Sequence, residues 1–289
     1  MHAAALAKVA KDQLAPSPLG FLRSSLFAAA ERASKDHVSL DLFTSKNCGI
    51  RALYEGPRLT QQHAMVWQGL IREHARRCDG DMSVPLRIRQ TDLLRSLGRT
   101  DTSTPARKWL SGKLKELQKG IIDLTTNKHH YTGQLVGEVV IERATGAYEI
   151  CLPSKLATLL SDELALIDLD RKLGIGRNQL ACWLHDFVST QSNEKARFFP
   201  VDDLRKLSGS PLKPPQFRQA LKAAIALLKG SDNPLLIDAN IDASDRCWFN
   251  KNPTKVVWID ERVNRRHEAQ YAHEDRVDQA YARRGVVAL

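Results

Sequence analysis

Basic and polar side chains gather on one face of a helix predicted at TPARKWLSGKLKELQKGIIDL, residues 104–124. At roughly 100° per residue, an apolar stripe on this helix must face a core; it comprises Leu110, Leu114, Leu117 and Ile121. The opposite face presents Lys108, Ser111, Gly112, Lys115 and Lys119. Such cations can neutralise phosphates, and Arg or Ser can contact base edges in a major groove. We therefore expect DNA to be bound here, by Arg99, Thr104, Arg107, Lys108, Ser111 and Lys115.

A second helix, PPQFRQALKAAIALLKG at 214–230, carries the same chemistry. Residues 87–119 contain nine Lys or Arg and three Asp or Glu, and residues 204–231 contain six Lys or Arg and no acid. A solvated helix face would explain one such segment, whereas two in matching contexts favour a polyanionic partner. The DNA contacts expected from the second segment are Lys213, Arg218, Gln219 and Lys222.

The connection NKHHYTG after the first basic helix is expected to be the tip of a β-hairpin, a wing that contacts phosphates or the minor groove through Lys128 and His129. The corresponding tip of the second segment carries Asp242 and Asp245. Because carboxylates are poor phosphate ligands, we expect that tip to point away from DNA. The pair His129 and His130 does not predict a metal site, since adjacent strand residues point to opposite faces.

The elements that would position these residues follow the same order twice. An amphipathic helix, a strand, a short helix, the basic helix and a hairpin are predicted from TQQHAMVWQGLIREHARR onward and again from RNQLACWLHDFVSTQ. Thr104 is expected as the N-cap of the first basic helix, with Pro105 at its first position and Gly120 as its end. This order predicts an α+β fold with tandem winged-helix domains, in which Trp67 and Trp183 are core residues.

The predicted domain boundaries follow from that repeat. Residues 1–20 form a flexible lead-in, 21–160 the first winged-helix domain, 161–260 the second, and 261–289 a C-terminal helix. Within the first domain, RSSLFAAAERASKD predicts a short helix and residues 38–43 a strand. A further strand is predicted at VVWID before the C-terminal helix.

Composition limits the classes of function. The 289 residues have a formal net charge of +10, which favours an anionic partner. Five scattered cysteines predict neither a disulfide framework nor a zinc module, and no segment predicts a secretory signal or a membrane span. The chain lacks the G-x-x-x-x-G-K-[ST] phosphate-binding pattern. We expect a cytoplasmic protein that has no cofactor and is not an enzyme.

Several segments resemble the TrfA-type plasmid replication initiators, a family of iteron-binding Rep proteins with tandem winged helices. The matching segments are RSSLF (23–27), MVWQGLIREHARR (65–77), DLLRSLG (92–98), LKELQ (114–118) and IDLDRKLGIGRNQLACWLHDFVSTQ (167–191). The resemblance covers roughly residues 20–260, and its motifs are degenerate.

The resemblance implies a protein that binds direct repeats (iterons) at a plasmid origin, opens neighbouring AT-rich DNA and recruits the host initiator, helicase and polymerase components. It also implies an equilibrium between DNA-binding monomers and inactive dimers. SLDLF at 39–43 is similar to the sliding-clamp-binding pentapeptide of family members, although it lacks the leading glutamine and falls on a predicted strand. The long N-terminal extension of some members is short here.

Two other classes of protein are alternatives to a replication initiator. A winged-helix transcription regulator would have the same fold, since fold does not determine function. A rolling-circle nickase would need an acid or histidine cluster with a tyrosine nucleophile, and no such constellation is found in the sequence.

Overall fold

Helices and strands alternate through the chain, in agreement with the α+β expectation. The computed structural model describes residues 14–31, 37–42, 51–125, 130–155, 164–191, 198–230 and 233–252. The elements up to residue 155 are β1 (Leu14–Pro18), α1 (Leu19–Leu22), β2 (His37–Leu42), β3 (Arg51–Pro57), α2 (Gln61–Arg77), β4 (Leu86–Arg89), α3 (Gln90–Ser96), α4 (Thr104–Lys119), β5 (Ile121–Thr125), β6 (His130–Gln134), β7 (Val139–Glu142) and β8 (Ala147–Ile150). The later elements are β9 (Leu164–Asp168), α5 (Leu169–Gly174), α6 (Gln179–Ser189), β10 (Phe198–Pro200), α7 (Val201–Leu207), α8 (Pro214–Lys229), β11 (Leu236–Ile241) and β12 (Arg246–Lys251).

All of these elements lie in one compact body, Met1–Lys251. Residues 252–289 form a separate body. The predicted strand VVWID and the predicted C-terminal helix lie in that separate body, outside the described residues, and the domain boundaries stay predictions. Below, the first and the second unit are the two successive repeats of elements within Met1–Lys251.

The core of the first half is built around α2. Trp67, Leu70 and Ile71 follow one another at helical spacing and are fully buried, as the sequence predicted for the tryptophan. The rings of Phe21 and Trp67 meet edge to face, with centroids 5.3 Å apart. Burying one side chain of this size contributes about 1.5 to 3 kcal/mol. The indole Nε1 donates to the Leu135 carbonyl oxygen, which satisfies the only polar group of this ring.

The hairpin after α4 differs from the sequence-based expectation. The β5–β6 hairpin, whose connection contains Lys128 and His129, joins a four-stranded sheet of order β2-β3-β5-β6. The strand that pairs with β4 is β8, and the three-stranded sheet next to it has the order β4-β8-β7. The prediction that NKHHYTG closes the wing of the first unit is therefore wrong. Its hairpin is real, but a later hairpin, β7–β8, occupies the place beside β4.

The second half has the predicted order of elements. β10, β12 and β11 form a three-stranded sheet in which β12 is central, and α6, α7 and α8 pack on a separate apolar core. Trp183 is buried there and stacks on Phe187 with ring centroids 5.1 Å apart. Helix, strand, helix, helix and hairpin thus recur in both halves, with β5 and β6 inserted in the first.

The N-terminal part of the described chain is more ordered than predicted. Residues 14–18, assigned to a loose lead-in, form the buried strand β1, which pairs antiparallel with β9. The short helix predicted at RSSLFAAAERASKD is also wrong. Helix α1 ends at Leu22, and residues 23–31 form turns and isolated bridges in which Leu26 and Phe27 are buried.

Buried polar contacts join the two halves. Lys172 of α5 donates to the Asp186 carboxylate of α6 and to Oε1 of Gln68 on α2, and Gln68 Nε2 donates to Asp186 at 3.0 Å. These three side chains are almost wholly buried. Burial raises the pKa of the Asp186 carboxyl, but Lys172 and His185 outweigh burial and lower it below its ordinary value.

Candidate nucleic-acid interface

Helix α4 is held to the first core by Leu110, Leu114 and Leu117, which are buried as predicted. Ile121 does not extend this stripe, because the helix ends at Gly120 and Ile121 begins β5 with 47% of its surface exposed. The N-cap is Ser103 instead of Thr104, which is the first helical residue. Pro105 lies in the first turn, where the missing N–H leaves no helical hydrogen bond unmade.

The outward face of α4 forms the wall of an open groove. Five predicted DNA contacts line it together: Thr104, Arg107, Lys108, Ser111 and Lys115. Gly112 and Gln90 complete the lining. Sequence reasoning missed Gln90, which starts α3 and is brought beside α4 by the tertiary fold. An amide side chain in such a place can bond both N6 and N7 of adenine. We call this surface the α4 groove.

Arg99 lies apart from the α4 groove. Its guanidinium is 4.1 Å from the centroid of the Trp109 ring, a cation–π contact on the flank of the helix. Of the predicted site residues of the first unit that the structure describes, five line the α4 groove and Arg99 lies on the flank of the helix. Arg107 is tied to the start of the helix, because its Nε donates to the Thr102 carbonyl oxygen at 3.0 Å.

The strand β8 contacts the groove from below. The hydroxyl oxygens of Tyr148 and Ser111 lie 2.6 Å apart, and burial raises the pKa of the tyrosine. A serine hydroxyl has one donor and two acceptor sites, so Ser111 keeps capacity for a second partner. The hairpin tip that follows β7 carries Arg143, which is exposed. Sequence reasoning missed it, although the glycine turn of RATG between two alternating segments was a usable signal.

Gly112 lines the α4 groove, and nothing in the described part of the protein requires a glycine there. A Cβ added at this position would meet no heavy atom within 4 Å. In a helix interior, glycine is roughly 0.8 to 1.0 kcal/mol less favourable than alanine. The helix thus bears a conformational penalty at a residue that lines the groove.

A buried polar cluster fixes the underside of α4 to the start of α2. His63 accepts the Thr60 backbone N–H at Nδ1, so its neutral form carries the proton at Nε2 and donates it to Glu116. Lys113 also donates to Glu116, at 2.8 Å. Hydrogen bonding by His63 lowers the pKa of Glu116 to about 2, despite an opposing effect of burial. Desolvation lowers the pKa of His63.

Carboxylates pair with some of the cations of the second basic helix, α8, so that fewer of its charges are available than its sequence indicated. Lys213, Gln219 and Lys222 are exposed. Arg218, by contrast, donates from Nε to Oδ1 of Asp245 at 2.8 Å. Lys229 is paired with Asp238 at 2.7 Å in the same way. The acidic hairpin tip therefore contacts the basic helix, and one predicted DNA contact is engaged by it. Lys128 and His129 lie outside the described residues.

Helices in the described part of the chain are too short or too polar to cross a bilayer.

Comparisons with known proteins give a fold and no family. No protein-family model matches the chain, and no curated protein matches it with significance. The chain is similar to the crystal structure of domains 2 and 3 of RctB, with a TM-score of 0.54 and 14% identity over 82% of this chain and 99% of that one. A second RctB structure of domains 2–3 (residues 155–483) has a TM-score of 0.46 and 12% identity over 80% of this chain and 95% of that one.

Proposed function

We propose that this chain is a bacterial plasmid replication initiator that binds double-stranded DNA sequence-specifically. Each half acts as a winged helix, and α4 and α8 enter successive major grooves of directly repeated sites. The observation that carries the proposal is the α4 groove, where five side chains suited to DNA lie on one accessible helix face.

The charge of the α4 groove supports a phosphate-bearing ligand. Within the described residues, Arg107, Lys108 and Lys115 make no ion pair with a carboxylate, so their charges are available to an outside partner. The groove also includes Thr104 at the N-terminal end of α4, where the helix dipole favours an anion. Salt should weaken the complex steeply, because each neutralised phosphate releases counterions.

The side chains also allow base reading. Arg107 can donate two hydrogen bonds to guanine, and Gln90 can bond adenine on the same wall of the groove. Gly112 lets the helix backbone approach the DNA where a larger residue would hold it away. These features favour sequence-specific binding over a purely electrostatic association.

The assignment to replication, beyond DNA binding in general, is supported by the resemblance of five sequence segments to TrfA-type initiators and by the fold shared with domains 2 and 3 of RctB. In this role the protein binds iterons, opens AT-rich DNA and recruits the host initiator and helicase in the cytoplasm, without catalysing a reaction itself. It also exchanges between monomers and dimers.

Recruitment of the sliding clamp through SLDLF would require a structural change. Residues 39–42 of this segment lie in β2, where Leu40 and Leu42 pack against the first core, and Phe43 lies outside the described residues. A clamp contact through these leucines requires β2 to separate from β3.

The proposal is tested by footprinting the protein on DNA that flanks its own gene, in the presence of non-specific competitor. We expect protection of direct repeats, and Arg107→Ala should lower discrimination at one base pair by roughly 5- to 150-fold. Arg51→Ala is the matched control, because it removes the same charge from the exposed side of β3. Equal binding of every fragment, or equal effects of the two variants, would contradict the proposal.

Replication is tested separately from binding. A plasmid whose only origin is the footprinted fragment should be maintained when the parent protein is supplied and lost with Arg107→Ala. Maintenance of the plasmid without the protein, with changed transcript levels, would instead identify a transcription regulator.

A further inference from the structure

The ion pair between Arg218 and Asp245 is built into the second unit by the backbone. Asp245 lies in the turn between β11 and β12 with a φ of 55°, a left-handed conformation that few residues adopt. Its carbonyl oxygen accepts the Val201 N–H at 3.0 Å, and its own N–H donates to the Asp242 carbonyl oxygen at 3.2 Å. These bonds fix the backbone of Asp245, and its side-chain Oδ1 lies 2.8 Å from Nε of Arg218.

The pair leaves part of the arginine unused. Arg218 bonds Asp245 through Nε, and no other hydrogen bond or ion pair of this guanidinium occurs among the described residues. The two terminal nitrogens, Nη1 and Nη2, form a planar fork that fits O6 and N7 of guanine. An arginine that is already oriented loses less side-chain freedom when it binds.

The carboxylate also affects contacts with the DNA backbone. Its negative charge beside α8 repels phosphates and so opposes binding that ignores sequence. A repulsive element of this kind raises specificity by weakening the wrong complexes. The α4 groove has no corresponding carboxylate among the described residues, so the two units differ in charge although they share an order of elements.

We propose that Asp245 is a positioning residue that presents Arg218 to a guanine, so that the second unit adds a base contact of its own while the first supplies most of the backbone affinity. This inference rests on the proposed function, because it requires α8 to enter a DNA groove. It assigns to the acidic hairpin tip a role in base selection.

The test is selection of binding sites by the full chain from a pool of random-sequence duplexes, at fixed salt. Three single variants are compared with the parent: Arg218→Ala, Asp245→Asn and Asp238→Asn. Asparagine tolerates the left-handed backbone at 245 and keeps an oxygen acceptor while removing the charge. Asp238→Asn is the matched control, because it removes the same charge from the same hairpin and from a pair with Lys229 of α8.

We expect the parent to select a guanine that Arg218→Ala no longer selects, with a loss of discrimination of roughly 5- to 150-fold at that base pair. Asp245→Asn should lose at least about fivefold at the same base pair and bind unrelated duplexes more tightly. A variant that combines Arg218→Ala with Asp245→Asn should discriminate at that base pair no worse than Arg218→Ala alone, and Asp238→Asn should still select the guanine. If Asp245→Asn fails to fold, Asp245→Gly, which also tolerates this backbone, should lose the same guanine.

Two results would overturn the inference while leaving the proposed function intact. One is an unchanged motif for Asp245→Asn, and the other is a uniform gain in affinity for all duplexes, which would make Asp245 only a competitor of phosphate. A parent protein that selects no motif would refute the proposed function itself and the inference with it.

Discussion

Replacement of Gly112 by alanine is expected to stabilise the fold and to weaken DNA binding at the same time. The Cβ would meet no heavy atom within 4 Å, so no clash offsets the gain in helix propensity. That gain is roughly 0.8 to 1.0 kcal/mol, which corresponds to a rise in Tm of about 2 to 4 °C.

The effect on DNA has the opposite sign because the added methyl group projects into the α4 groove. Overpacking a close contact typically costs about 1 to 3 kcal/mol, which is roughly a 5- to 150-fold loss of affinity. Fluorescence anisotropy on a footprinted duplex and thermal melting of the free protein measure the two effects. Destabilisation cannot imitate this result, since the variant that binds less well is the more stable protein.

Gly69→Ala provides a contrast within the same unit. A Cβ at position 69 would lie 2.4 Å from a methyl carbon of Leu97, so this variant should not gain stability and should bind DNA like the parent. If Gly112→Ala raised Tm but left DNA affinity unchanged, the close approach of DNA to α4 would be refuted. If it lowered Tm, the helix would need glycine for an internal reason that contradicts our reasoning.

Three further predictions concern charge. Lys108→Ala should weaken binding to all DNA sequences alike. In a salt titration it should reduce the slope of the logarithm of the binding constant against the logarithm of the salt concentration by about 1. A loss of discrimination between base pairs with an unchanged slope would instead make Lys108 a base-reading residue. Lys172→Met should lower the free energy of unfolding, measured by urea titration, by about 3 to 5 kcal/mol, because Asp186 is left buried without its cation. The double variant Lys172→Met with Asp186→Leu should recover much of this loss. Additive losses would show that the two residues are not coupled. Stability should fall below pH 6.5, the ordinary pKa of His63, since desolvation lowers the pKa of His63 in the fold and only the unfolded chain takes up that proton. It should fall further from pH 4.5 towards 2 as Glu116 is protonated, and Glu116→Gln should make this second decline shallower in a pH series of urea titrations. Asp186, whose pKa is also lowered, accounts for part of the decline that is left. An unchanged decline would exclude Glu116 as a source.

The long amphipathic helices were predictable because helix formation depends on residues close in sequence. The apolar spacing of α2, α4 and α8 appears in the printed sequence, and Gly120 ends α4 as expected. The face of α4 that carries Arg107, Lys108 and Lys115 follows directly from that periodicity. Most of the residues that line the α4 groove are therefore predictable from the amino-acid sequence alone.

Strand partners were not predictable in the same way. β5 and β8 both alternate apolar and polar residues, and nothing in that alternation says which of them pairs with β4. The choice depends on contacts between residues far apart in sequence, which also bring β1 to β9 and hide Leu14 and Ala15. The misplaced wing and the misjudged N-terminal segment have this one cause.

By itself, the sequence determined the amphipathic helices, the repeated order of elements and the two basic segments, because periodicity and local charge depend on neighbouring residues. Only the tertiary structure decided which charges remain available to a ligand. It placed Gln90 in the α4 groove and set Asp245 against Arg218, so two helices of similar composition present different surfaces. The physical reason is that an ion pair depends on distance in space, and folding brings together residues that the sequence keeps apart.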